Sequence, residues 1–176
     1  MKTTRRLAFD PIRRAAVLWE RTWGTASAPQ SMATATSVMR VQQLLLAEFD
    51  ALLAEFDLTF PRFETLVLLT FSREGRLPMS IVGERLMVHP TSATSLVRRL
   101  EAQGYVERVP NPDDGRGTLA VITPPGREAA ERGMRRLVDA GFGLSGLTGP
   151  ERVELFRLLE KVRIGHGDVR PAEAQD

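Results

Sequence analysis

Cysteine is absent from the 176 residues, which excludes disulfides and thiolate-held metal. Histidine is nearly absent: His89 and His166 are too few for an imidazole cage, so neither a structural metal nor another cofactor is expected. No apolar run approaches the roughly 18 residues of a membrane span. The opening "MKTTRRLAFDPIRRAA" lacks the apolar stretch of a signal peptide, so a cytoplasmic protein with no membrane partner is expected. Lysine is scarce too. Lys2 and Lys161 are the only ones, so arginine supplies nearly all the positive charge. The formal net charge of +2 barely argues for nucleic acid by itself. Arginine reads bases and phosphates through a rigid fork, although heavy arginine use equally follows from genomic base composition.

What is present is a chain that can bury a real core: 43% of residues are hydrophobic, enough for one domain or one with an added lobe. Asp10 as N-cap and Pro11 at the first helical position announce a helix through "IRRAAVLWERTW", stopped by Gly24. Ile12, Ala16, Trp19 and Trp23 share one stripe of it. After the joint "TASAPQS", a long helix is predicted from about Met32 to Phe56. Val38, Val41, Leu45, Leu52 and Phe56 recur at helical spacing, with Leu44, Leu46, Phe49 and Leu53 around them. That is broader than one core face requires. Either the helix is central to a bundle, or its second face meets another chain. Thr59 and Pro61 open a further helix, "FPRFETLVLLTF", which ends at the polar turn "SREGRL".

A short helix from about Ser80 to Met87, a three-residue connection and a second helix from Pro90 to before Gly104 form a helix-turn-helix candidate. In the second helix Ala93, Leu96, Val97 and Leu100 occupy i, i+3, i+4 and i+7 and face inward, leaving Thr91, Ser92, Ser95, Arg98 and Arg99 outside. A helix entering the major groove needs this arrangement: small hydroxyl side chains at its N-terminus and arginines beyond. "YVERVP" and "TLAVIT" then flank the turn "NPDDGRG" and read as a hairpin. Such a hairpin is a wing. Arg116 stands between Gly115 and Gly117, with no bulky neighbour to keep it from a narrow minor groove, and Arg108 lies on the first strand. Double-stranded DNA is the expected partner.

Two helices close the chain. Thr123 caps "PPGREAAERGMRRLVDA", and Thr148 with Glu151 forms a capping box for "PERVELFRLLEKVR", where Leu147, Val153, Phe156, Leu159 and Val162 make an apolar face. The end helices carry more apolar surface than the winged module can cover, which fits a homodimer. The expected fold is mainly α with a small β-wing. Residues 1–57 hold the extra first helix and a dimerisation helix, 58–123 the winged helix-turn-helix, and 124–176 the C-terminal dimerisation helices.

The run from Leu77 to Arg132 resembles the MarR family of winged helix-turn-helix regulators: a His-Pro-opened recognition helix ending in Arg-Leu-Glu, a Gly-hydrophobic-Val-Glu-Arg strand, Asp114-Gly115-Arg116 as the Asp-x-Arg wing, and a Thr-Pro-x-Gly helix start. The likeness covers about Thr59 to Val162. It implies a two-fold dimer with recognition helices in successive major grooves, acting as a repressor released by a small aromatic or phenolic effector. The first helix is similar to that of the urate-responsive subgroup. That likeness implies Trp19, Glu64 and Arg108 as effector-binding residues, but Leu96 stands where the subgroup has an arginine, so a more apolar ligand than urate fits at least as well. The bland alternative is that Trp19 and Trp23 anchor the extra helix. No Gly-rich phosphate loop and no Ser/His/Asp signature occurs, so no enzyme is expected. The competing class is a winged-helix protein-interaction module without specific DNA binding.

Overall fold

The computed structural model describes residues 7–169, excepting the side chains of Gly115 and Arg116. The chain divides between Ala51 and Leu52 into two compact units.

In the first unit, helix α1 (Pro11–Trp23) starts where Asp10 Oδ1 accepts the backbone N–H of Ile12 and Arg13, at 2.9 and 3.2 Å. It ends at Gly24, whose φ of 78° only glycine adopts without strain. The Trp19 indole N–H donates to the Ser27 carbonyl at 3.0 Å, and Trp23 meets Trp19 edge-on with ring centroids 4.5 Å apart. This tryptophan pair therefore ties the end of α1 to the turn that follows it. Helix α2 (Pro29–Leu53) begins three residues before the expected Met32, and a single 3-10 turn, Ala54–Phe56, finishes it. Val38, Met39, Val41 and Leu44 of α2 are exposed, as are Val17, Leu18 and Trp23 of α1.

The second unit is built on α3 (Phe60–Phe71), whose Phe63, Leu66 and Leu69 are buried. The polar turn after it holds a strand that was not expected, β1 (Arg76–Pro78). The helices α4 (Met79–Arg85) and α5 (Pro90–Ala102) follow, then β2 (Val106–Asn111) and β3 (Asp114–Ile122). The sheet is antiparallel in the order β1-β3-β2, with Leu77 opposite Ala120 and Arg108 opposite Ala120 on the other side. Three residues are too few to show an alternating pattern, and β1 exists because β3 offers it an edge. The wing turn is tighter than the seven-residue turn expected. Asn111 already pairs with Asp114 across a register shift, and the Asn111 side chain accepts the Asp113 N–H at 3.1 Å.

Helix α6 (Pro124–Asp139) buries Ala129, Ala130 and Leu137. A Cβ on Gly133 would lie 2.9 Å from Leu53 and 3.0 Å from Phe63, so only glycine allows this close an approach without a shift. Helix α7 (Gly149–Gly165) opens with the expected capping box: Thr148 Oγ1 accepts the Glu151 N–H, and Glu151 accepts the Thr148 N–H at 2.8 Å. No residue of α7 is buried. Val153, Phe156, Leu159 and Val162 are exposed in the single chain, while Leu147 just before the helix is half-buried.

Candidate nucleic-acid interface

The two helices of the motif are joined by the turn Leu86–His89. Met87 takes the left-handed conformation there, with φ 53°, and the Val88 N–H returns to the Gly83 carbonyl at 3.1 Å. His89 caps α5 through Nδ1, which accepts the Thr91 N–H at 3.3 Å, and Pro90 fills the first helical position. Burial of Ala93, Val97 and Leu100 fixes the rotation of α5 about its axis; Leu96, the fourth inward candidate, is only half-buried. Thr91, Ser92, Ser95, Arg98 and Arg99 consequently face out, all exposed, and neither arginine has an ion pair among the described residues. Thr94 also faces out but was missed. Its hydroxyl donates to the Pro90 carbonyl at 3.0 Å, so its hydrogen is already engaged.

The far end of α5 is locked to its neighbours. Gly104 reverses the chain at φ 74°, and the Tyr105 N–H returns to the Leu100 carbonyl at 2.9 Å. Thr123 Oγ1 donates to the Gly104 carbonyl at 2.7 Å and accepts the Gly126 N–H at 3.1 Å, so one hydroxyl joins the end of the recognition helix to the start of α6. Gln103 Nε2 donates to the Asp57 carbonyl at 2.7 Å, and Tyr105 to that of Phe56 at 3.2 Å. Arg108 on β2 pairs with Glu101 of α5 at 2.8 Å, linking wing and helix. The Arg116 backbone belongs to β3; its side chain is outside the described residues.

A cleft of about 370 Å³ lies at the root of the wing, lined by Thr94 and Arg108 together with Met79, Ser80, Asn111 and Thr118 among others. Glu64, on α3, does not line it. Partial loss of water raises the Glu64 carboxyl above its ordinary range. Trp19 belongs to the first unit, Glu64 and Arg108 to the second. Among the described residues no cluster of His, Cys, Asp or Glu could hold a metal, and no helix is long and apolar enough to cross a membrane.

This geometry has close relatives. Residues 56–117 match the MarR family. The HTH-type transcriptional repressor Rv2887 of Mycobacterium tuberculosis is 34% identical over 125 residues, covering 70% of this chain and 88% of that protein. The chain belongs to the MarR family. Among solved MarR structures, the regulator Sco5413 of Streptomyces coelicolor is 51% identical with a TM-score of 0.74, over 81% of this chain and 99% of that one. Sco3205 from the same organism, a MarR regulator solved in complex with DNA, is 26% identical with a TM-score of 0.70, over 81% and 89%. These relatives are transcription regulators and not enzymes, and the MarR fold, mainly α with a three-stranded antiparallel wing, is the one seen here.

Proposed function

We propose that this MarR protein is a sequence-specific, DNA-binding transcriptional repressor that acts as a homodimer on a pseudo-palindromic operator. The observation that carries the reading is the outer face of α5: four exposed hydroxyl residues and two arginines without an ion pair among the described residues, followed directly by a wing. Thr91, Ser92 and Ser95 would meet base edges and phosphates, Arg98 and Arg99 the backbone farther along, and Arg116 the flanking minor groove. That Sco3205 was solved in complex with DNA supports DNA as the partner. Dimerisation rests on the uncovered apolar residues of α2 and α7, too many for one chain to leave in water. On this reading residues 1–57 and 124–176 supply the dimer core and 58–123 the DNA-binding module. The test is selection of bound fragments from the parent genome, followed by titration at several salt concentrations and a mass by light scattering. A steep salt dependence and twice 19.6 kDa are expected. A monodisperse monomer, or a flat salt response as a protein-interaction module would give, overturns the reading.

The proposal extends to a small aromatic or phenolic effector, with Arg108 as the residue that answers to it. The cleft beside Arg108 has room for a single-ring anion. An anion there would compete with Glu101 for the guanidinium and so disturb the link between wing and recognition helix. Releasing DNA about 100-fold requires roughly 2.7 kcal/mol of coupling. Titrating aromatic acids against operator release tests it, with Arg108→Ala expected to remove the response. If no acid in a broad panel releases DNA from the wild type, the Arg108 cleft holds no effector.

A further inference from the structure

A second cleft, of about 630 Å³, lies along the β1 edge of the wing and is lined by three arginines from three different elements. Arg73 comes from the turn after α3, Arg76 from β1 and Arg85 from the last turn of α4. All three are exposed. Arg76 pairs with its neighbour Glu74. Arg73 and Arg85 have no ion pair among the described residues. None of the three belongs to the outer face of α5 or to the wing tip, so the docking described above leaves them without a role.

Position and charge together say what they meet. Pro78 and Asn111 line both this cleft and the one at the root of the wing beside Thr94, so the two clefts are contiguous around the end of the hairpin. A path therefore runs from the recognition helix, past the wing, to the three arginines. Glu74 and Asp113 also line the cleft, leaving a net charge of only +1 across its three arginines and two acids. So small an excess in an open cleft holds a free small anion poorly in water. A phosphodiester delivered by a duplex already bound next door is different, because it arrives at high effective concentration, and a guanidinium fork matches its two free oxygens.

We propose that Arg73 and Arg85, with Arg76 beside them, form a phosphodiester-binding cleft that grips the DNA backbone beyond the wing. The protein's footprint then extends outside the base pairs read by the recognition helix and the wing tip. The contact carries no base information; it sets affinity and register. This rests on the DNA-binding reading above.

The experiment uses the full-length protein and its Arg73→Ala/Arg85→Ala and Arg73→Lys/Arg85→Lys variants, each checked for unchanged circular dichroism. Affinity is measured against salt concentration on two duplexes: an operator fragment with long flanks, and the same fragment trimmed to the edge of the double-alanine variant's footprint. If each cleft holds one phosphate, a bound dimer loses two contacts, and the slope of log affinity on log salt falls by about 1.8 on the long duplex. Between about 50 and about 200 mM salt the variant then loses roughly tenfold less affinity than the wild type. On the trimmed duplex the two proteins coincide, and the lysine variant keeps most of the wild-type slope. Equal slopes for the wild type and the double-alanine variant on the long duplex overturn the proposal while leaving the regulator reading intact. So does stabilisation of the wild type alone by inorganic pyrophosphate with unchanged DNA slopes, which makes the cleft a site for free anions. A wild-type protein with no affinity for any duplex overturns both.

Discussion

Gly126 sits at the third position of α6, where the helix presses on the chain leaving the recognition helix. A methyl group there would overlap the Tyr105 carbonyl oxygen outright and come within 2.9 Å of its carbonyl carbon and 3.1 Å of its Cα. Neither side can easily yield. The Tyr105 carbonyl accepts the Thr123 N–H at 3.1 Å, the Tyr105 N–H is held by Leu100, and Gly126 is itself bound to Thr123 Oγ1. Overpacking costs about 1–3 kcal/mol, and the upper half of that range applies where the obstacle is backbone. Replacing a helical glycine returns at most about 1 kcal/mol. Gly126→Ala should therefore destabilise by about 1–2 kcal/mol, lowering the melting temperature by roughly 2–8 °C for a chain of this size. The measurement is thermal unfolding followed by circular dichroism at one fixed protein concentration, because a dimer's midpoint depends on concentration. Gly165→Ala is the control: that helical glycine has nothing within 4 Å and should tolerate alanine without loss. Because the obstructed contact joins α6 to the end of the recognition helix, operator affinity should fall with stability. A melting temperature for Gly126→Ala equal to or above the wild type would refute the packing argument.

Ser95→Ala and Thr91→Ala should each change base preference inside a half-site, by about 1–3 kcal/mol where a base contact is lost, whereas Arg116→Ala should weaken binding most on A/T-rich flanks. Affinity and preference unchanged in all three would remove the docking scheme. For Glu64, desolvation raises the folded-state carboxyl above its unfolded value, so the folded state keeps this proton to higher pH than the unfolded chain does. Stability from this group is then full below the ordinary carboxylate range and declines as pH rises through the raised value. Glu64→Gln should accordingly raise the unfolding midpoint at neutral pH and match the wild type in acid; a lower midpoint at neutral pH counts against it. Thr148→Ala removes the hydroxyl half of the α7 capping box, the Oγ1 that accepts the Glu151 N–H and donates to its carboxylate, and should cost about 1 kcal/mol, measured by urea unfolding at fixed concentration.

Elements whose chemistry is local were legible in the sequence. Asp10-Pro11, Thr123-Pro124 and the Thr148/Glu151 box all mark true helix starts, because a cap is made by residues two or three apart and needs nothing from the rest of the chain. The rotation of α5 was legible for a similar reason. Helical periodicity sorts Ala93, Val97 and Leu100 from Thr91, Ser92 and Ser95 before any packing is known. Leu96 marks where the pattern stops deciding: at the edge of the stripe, its half-burial depends on what lies opposite.

What escaped the sequence depends on partners distant along the chain. Strand β1 is three residues long and owes its extended shape to pairing with β3, some forty positions later, so no pattern within "GRLP" could reveal it. That pairing in turn gathers Arg73, Arg76 and Arg85 around one cleft, although along the chain they look like scattered surface charges. Arg108 shows the opposite failure. Its strand position was legible, yet its pairing with Glu101 was not, because whether a β2 side chain meets the end of α5 depends on how the hairpin twists as it leaves Gly104. A candidate anion-binding residue thus arrives already holding an anion of its own. Any effector that uses Arg108 must bind tightly enough to displace an exposed carboxylate. Exposed ion pairs contribute only about 0.2–1 kcal/mol, so such displacement lies within reach of a modest ligand.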